Sequence, residues 1–104
     1  MEIRQLQHFL AVVETGSFHK AAALVNITQQ AISRSIQQLE KECGGRLLER
    51  KKGTRHSVGP TSFGLLLLPR AQRALAELKG FRDELENLMG TGREMVRLGA
   101  TPTA

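Results

Sequence analysis

Three stretches with helical periodicity, separated by residues that end helices, constrain the fold of this chain most strongly. From Ile3 to Thr15, apolar side chains recur every three or four positions, as one face of an amphipathic helix requires. Gly16 and Ser17 separate this helix from a short second one, and Asn26 separates the second from a third that begins after Thr28. Only 4% of the 104 residues are aromatic, so aliphatic side chains must fill the core. These features predict a mainly α-helical domain.

The third predicted helix has two faces of different chemistry. One stripe contains its apolar side chains, Ile32, Ile36, Leu39 and Cys43. The opposite face carries amides, a hydroxyl and a guanidinium, on Gln29, Gln30, Ser33, Arg34 and Gln37. Such groups hydrogen-bond to base edges and phosphates of DNA, which makes the first four candidate base readers. In the alternative, these side chains only cover the helix surface, and Arg34 pairs with Glu40 or Glu2.

The spacing around Asn26 matches a helix-turn-helix. Ala22 supplies a small residue where two helices approach, and Asn26, four residues later, tolerates the left-handed backbone of a sharp turn. Apolar residues that would lock the two helices together follow this spacing: Ala21, Val25, Ile27, Ile32 and Ile36. The apolar side chains of the short second helix are predicted to face inward: Phe18, Ala21, Ala22, Leu24 and Val25. In such a motif the second helix enters the major groove of DNA.

A basic hairpin is predicted after the third helix, with strands at Leu47–Arg50 and Arg55–Val58 around the turn Lys51–Thr54. The segment from Arg46 to His56 has a local charge of +4, within a net charge of +5 for the chain. Beside the third helix, this hairpin would form the wing of a winged helix-turn-helix and contact phosphates. Any of three side chains could enter the minor groove: Lys51, Lys52 or Arg55.

A long final helix is predicted from its N-cap Thr61 to about Met89, with Pro69 inside it as a source of a kink. Its apolar residues alternate spacings of three and four, as in a coiled-coil seam: Leu68, Ala71, Leu75, Leu78, Phe81, Leu85 and Leu88. Such a helix overhangs a core of about 60 residues, so pairing with a second copy is favoured over packing within the chain.

Other classes of function find little support in the sequence. Cys43 is the lone cysteine, and no Cys/His set has the spacing of metal ligands. His8, His19 and His56 have no nucleophile or pair of carboxylates near them. The longest apolar run, residues 65–68, is too short to cross a bilayer, and no signal peptide is visible. We therefore expect a cytoplasmic protein without enzymatic activity, metal or cofactor in this chain.

These residues together resemble the N-terminal domain of LysR-type transcriptional regulators, which are bacterial. The resemblance covers residues 1 to about 89. Its motifs are Ile3–Leu6, Phe9, Gly16–Phe18, Ala21-Ala22, Leu24, Thr28–Ile36, Gln38–Glu40, Gly44, Arg46–Arg50 and Thr61-x-x-Gly64.

The resemblance implies a winged helix-turn-helix over residues 1–60, with recognition helix 28–43 and wing 46–58. It further implies a linker helix over 61–89 that pairs two chains, and a hinge over 90–104 that opens a two-lobed effector domain. That missing domain would bind a small inducer, and it often pairs dimers into tetramers. Each subunit would read half of an imperfect palindrome, with the positions of Gln29, Ser33 and Arg34 touching bases or phosphates and a basic wing residue near the minor groove. From their chemistry and position in the chain, we expect the contacts to the DNA backbone and through the wing to come from Thr28, Gln37, Arg50, Lys51, Lys52 and Arg55.

The chain departs from the family pattern at four points. Gln30 replaces a common Pro, Cys43 a common Leu and Leu48 a common Phe, and the wing is about three residues longer than usual. The change at Gln30 adds hydrogen-bonding groups where DNA is expected.

The alternative function is a protein-interaction module in which the long helix pairs subunits and the wing binds anions without sequence preference.

Overall fold

The computed structural model describes residues 1–53 and 57–91. In chain order its elements are α1 (Ile3–Thr15), α2 (Phe18–Leu24), α3 (Gln29–Cys43), β1 (Leu48–Arg50), β2 (Val58–Pro60) and α4 (Ser62–Thr91). The predicted winged helix-turn-helix with a long final helix is confirmed. Residues 54–56, which include Arg55 and His56, and residues 92–104 of the predicted hinge lie outside the described residues.

The residues predicted to separate the first three helices do so. Gly16, Asn26 and Gly44 all adopt positive φ, at 71°, 64° and 85°, and each follows the end of a helix. Ser17 and Thr28 cap the next helices, because each hydroxyl accepts a hydrogen bond from the backbone N–H three residues later, at 3.1 and 3.0 Å. The turn geometry of the helix-turn-helix is therefore encoded locally.

The core lies where α1, α2 and α3 meet, and the base of the wing closes it. The largest fully buried side chains are Phe9, Val12, Ile32, Leu39 and Leu47. Leu24 is 60% exposed, so the prediction that it faces inward was wrong. At 100° per residue, Leu24 lies about 110° from the midpoint of the buried Ala21 and Ala22.

The second strand of the wing differs from its prediction. β2 is Val58–Pro60 rather than Arg55–Val58, and it pairs antiparallel with β1, Leu48 opposite Pro60 and Arg50 opposite Val58. The hairpin therefore spans residues 48–60 instead of lying within 46–58. A tertiary contact fixes the register, because the Val58 N–H donates to the Gly16 carbonyl at 2.9 Å.

The first part of helix α4 packs against the core of the domain, and its later part extends beyond that core. Pro69 lies inside the helix, while Leu67 and Leu68 pack against the core beside it. Ala71 is only 6% exposed within this one chain. Ala71, which the seam prediction assigned to an interface between two chains, is instead buried in the chain's own core, and Leu68 also packs against that core. In the described part of the chain, no helix has both the length and the apolarity to span a membrane.

Two polar contacts join α1 to α3 beside the apolar core. The Gln5 amide donates to the Gln38 side-chain carbonyl at 3.4 Å, and His8 Nδ1 lies 2.7 Å from Ser35 Oγ. His8 is 5% exposed. Burial first, and the nearby Arg4 guanidinium second, lower the pKa of His8 below its ordinary value of 6.5.

This lowered pKa predicts that the fold loses stability in mild acid. Well above pH 6.5 the imidazole is neutral in both the folded and the unfolded chain. As the pH falls below 6.5, the unfolded chain binds a proton that the folded chain excludes until its own lower pKa is passed. Urea unfolding at a series of pH values should show a smaller acid loss for His8→Gln than for the wild type. Equal losses in both proteins would contradict this role for His8.

Candidate nucleic-acid interface

The polar face predicted on α3 is presented to solvent. Four of its five side chains are exposed, those of Gln29, Gln30, Arg34 and Gln37, and Ser33 is half-buried. The opposite face places Ile32, Ile36 and Leu39 in the core. The candidate base readers therefore lie together on one accessible surface, as the helical spacing predicted.

A groove of about 550 Å³ runs beside this face, between α3, the start of α2 and the wing. Its polar lining includes Gln29, Ser33, Gln37, Arg46 and Arg50, together with His19 from α2. The fold thus brings the wing against the α3 residues that the sequence singled out. Sequence reasoning missed the position of His19 in this groove, because no local pattern places the first turn of α2 beside the wing.

Glu40 attaches the wing to α3. Its Oε2 accepts hydrogen bonds from the backbone N–H groups of Leu47, at 2.7 Å, and Leu48, at 3.2 Å. The Arg46 guanidinium approaches the same oxygen at 3.6 Å, and the Glu40 side chain is only 14% exposed. A nearly buried carboxylate that accepts two backbone hydrogen bonds is a strong local anchor. This role was missed, because sequence reasoning considered Glu40 only as a partner for Arg34.

The start of α4 docks on the same segment of the wing. The Thr61 N–H donates to the Leu47 carbonyl at 2.9 Å, and the Thr61 hydroxyl donates to the Arg46 carbonyl. The Thr61 oxygen also accepts from the Gly64 N–H at 2.9 Å, which confirms the predicted N-cap. A Cβ at position 64 would overlap the Leu47 carbonyl oxygen, so only glycine permits this approach.

Positive charge remains available on the wing. Within the described residues, ion pairs join the N-terminus to Glu42, Arg46 to Glu40, and Lys79 to Asp83. The alternative in which Arg34 pairs with Glu40 or Glu2 is not seen among the described residues. The exposed side chains of Arg50, Lys51 and Lys52 likewise have no acidic partner among them. Anions could therefore approach the wing without displacing a carboxylate.

The described residues contain no group of His, Cys, Asp or Glu side chains able to hold a metal ion. His8 instead contacts Ser35, and Cys43 lies half-buried against the core. Burial first, then the charges of Glu42 and Glu40, raise the pKa of the Cys43 thiol. A raised pKa disfavours the thiolate, so this cysteine is poorly suited to nucleophilic chemistry.

The anchoring role of Glu40 yields a stability prediction. Glu40→Ala leaves two backbone N–H groups without their acceptor and should lower the free energy of unfolding by about 2–3 kcal/mol. Glu40→Gln keeps one acceptor oxygen and should lose about half as much. Glu42→Gln is the control, since Glu42 is exposed and pairs only with the N-terminus. Urea denaturation measures the free energy of unfolding of all three variants. Equal losses of stability in Glu40→Ala and Glu42→Gln would refute the anchoring role of Glu40.

Comparison with known proteins agrees with this geometry. The family described as bacterial regulatory helix-turn-helix protein, lysR family, matches residues 3–65. The SDS degradation transcriptional activation protein of Pseudomonas sp. is 45% identical over 101 residues, which is 97% of this chain and 32% of that protein. IlvR of Caulobacter vibrioides, an HTH-type transcriptional regulator, is 44% identical over 88 residues, 85% of this chain and 29% of that protein.

The curated relatives are named as regulators rather than enzymes, and the chain spans about a third of their length. Among solved structures, the BenM DNA-binding domain bound to catB site 1 DNA has a TM-score of 0.77 and 39% identity, covering 86% of this chain and 96% of that chain. The complex of the CbnR DNA-binding domain with DNA has a TM-score of 0.72 and 36% identity, covering 86% and 99%. From these matches and the fold, the chain belongs to the LysR family of bacterial regulatory helix-turn-helix proteins.

Proposed function

We propose that this chain binds double-stranded DNA in a sequence-specific manner and supplies the DNA-binding part of a transcription regulator. One observation carries the proposal: the exposed polar face of α3 and the basic wing border one groove. The same fold in BenM and CbnR has been solved in complex with DNA. In this arrangement α3 enters the major groove and the wing lies along the phosphates or in the minor groove.

The candidate side chains divide by chemistry into base readers and backbone contacts. The amides of Gln29 and Gln30 suit adenine, Arg34 suits guanine or phosphate, and Ser33 can bond to any base. The proposed backbone contacts are Thr28, Gln37, Arg50, Lys51, Lys52 and Arg55. The Thr28 oxygen already caps α3 by accepting from the Ala31 N–H, which leaves its hydroxyl proton free to donate.

The second half of α4 supports a homodimer. Phe81, Leu85 and Leu88 continue the predicted seam beyond the core and are exposed, Phe81 by 66%. Leu75 and Leu78 precede them and are half-buried. Apolar side chains repeated along one side of a helix gain stability when a second helix covers them. Two chains joined in this way would present two recognition helices to an imperfect palindrome.

Inducer binding and tetramer formation are further functions expected of a full regulator. We propose that a small inducer binds outside residues 1–89, in an effector domain, and that tetramers require segments outside this range. A regulator that reads chromosomal DNA acts in the bacterial cytoplasm. The alternative, an interaction module with only anion binding, gains no support from the α3 face, whose amides suit base edges better than a simple anion.

Selection of bound sequences from a random DNA pool, at near-physiological salt, tests the proposal. We expect recovery of an interrupted palindrome, since specific readout by a dimer demands two related half-sites. Recovery of no motif, with binding that collapses uniformly as salt rises, would favour the anion-binding alternative.

Two classes of variant should separate base readers from phosphate contacts. Ser33→Ala and Gln29→Ala should weaken binding to the selected site by about 1–3 kcal/mol and leave binding to random DNA nearly unaffected. Lys52→Gln should weaken binding to both DNAs and make the dependence of affinity on salt concentration shallower. Lys52 is preferred to Lys51, whose aliphatic stem lies across Gly59 and contributes to the wing itself. Dissociation constants on both DNAs decide the outcome, and equal losses on both for Ser33→Ala would refute base reading.

A charge in the exposed part of the seam should separate the subunits. Leu85→Asp should produce monomers with poor affinity for the palindrome, because each half-site then loses the contribution of its partner. Ala76→Asp is the control, since Ala76 is exposed and lies off the seam. Light scattering gives the mass in solution, and an unchanged dimer for Leu85→Asp would place the interface elsewhere.

A further inference from the structure

A second hollow, of about 450 Å³, lies on the flank of α3 that faces away from the wing. Its walls come from the start of α1, with Arg4 and His8, and from α3, with Ala31, Ser35 and Gln38. The wing groove and this hollow have no lining residue in common. Helix α3 is therefore bordered by one cleft on each side.

The exposed face of α3 lies between the two clefts. At 100° per residue, Ser33, which lines the wing groove, lies 100° to one side of Arg34. Gln38 and Ala31, which line the second hollow, lie about 40° and 60° to the other side. Arg34 therefore points outward between them, and the start of α1 stands beside the far edge of the α3 face.

A helix in the major groove meets sugar-phosphate backbone on both sides. The groove is about 12 Å wide, and a helix with its side chains is about 10–12 Å in diameter, so both strands come close to it. On one side, the proposed contact with the DNA backbone comes from the wing, through Arg50, Lys51 and Lys52. On the other side the hollow offers the cation Arg4.

We propose that Arg4 binds the phosphate backbone of the DNA strand that lies opposite the wing. The inference rests on the proposed function, because it requires α3 to lie in the major groove. It assigns α1, which a helix-turn-helix uses to support the other two helices, a direct part in holding DNA. The contact carries no base preference, since a phosphate is the same at every base pair.

The charges around the hollow support this assignment. Arg4 is exposed, and among the described residues it takes part in no ion pair. Glu42, at the other end of α3, is engaged by the N-terminal ammonium at 3.1 Å. Glu2 lines the same hollow but does not pair with Arg4. The Arg4 side chain thus lines the hollow beside α3 with no ion pair among the described residues, and a phosphate oxygen can accept hydrogen bonds from its guanidinium.

Salt-dependent binding tests the proposal on the intact chain. Arg4→Gln should weaken binding severalfold on both the selected palindrome and random DNA. The slope of log Kobs against log salt should become shallower by about 1 per subunit. Arg73→Gln is the matched control, because Arg73 is an exposed arginine on α4 away from both clefts. Arg4→Lys keeps the charge and should retain the wild-type slope.

Neutral phosphates locate the contact. A single neutral methylphosphonate is placed in turn at each phosphate of each strand. At a position opposite the wing, this replacement should weaken DNA binding by the wild type and leave binding by Arg4→Gln unchanged. Lys52→Gln should remain sensitive to that position. Thermal unfolding of each variant shows whether a loss of affinity reflects loss of fold.

The outcomes distinguish this contact from the function on which it rests. An Arg4→Gln slope equal to that of the wild type, while Lys52→Gln becomes shallower, would overturn the contact and leave the proposed function standing. Equal losses in Arg4→Lys and Arg4→Gln would make the role of Arg4 structural and also overturn it. Absence of sequence preference in the wild type would overturn the proposed function and the contact together.

Discussion

The interaction on which the rest of the structure depends is the pair of hydrogen bonds from the Leu47 and Leu48 N–H groups to the Glu40 carboxylate. It fixes the base of the wing to α3. The Leu47 carbonyl, on the other side of the same residue, accepts from the Thr61 N–H and faces Gly64. One residue therefore joins the helix proposed to read DNA, the wing and the helix proposed to pair subunits. A change at this point should move all three elements together.

Directional contacts between α1 and α3 complement this anchor. The apolar stripe alone would allow α3 some rotation, since hydrophobic contact has no preferred direction. Hydrogen bonds from Gln5 to Gln38 and between His8 and Ser35 restrict that rotation, because they require particular atoms to meet. The exposed face then lies centred between the two clefts. The lowered pKa of His8 means that this restraint depends on pH, while the apolar packing does not.

Helix α4 shows how one apolar pattern can serve two purposes. The heptad spacing is continuous, so the sequence suggested one interface from Leu68 to Leu88. In the fold, Ala71 is buried in the chain's own core, whereas Phe81, Leu85 and Leu88 are exposed. The division follows from length, because a helix of 30 residues extends about 45 Å and outruns the three-helix domain. Periodicity reports that a face is apolar but does not identify what covers it.

The sequence by itself determined the features that depend on neighbouring residues: the three short helices, their caps, the left-handed turn at Asn26 and the two faces of α3. These are set by backbone preferences and by helical spacing, which act within a few positions. The tertiary structure alone decided the register of β2, the burial of Ala71 and the role of Glu40. Each of these requires a partner from another element or loop, such as Gly16 for Val58 or Leu47 for Glu40. Hydrogen bonds and packing between such segments exist only after the helices have come together, so no local pattern encodes them.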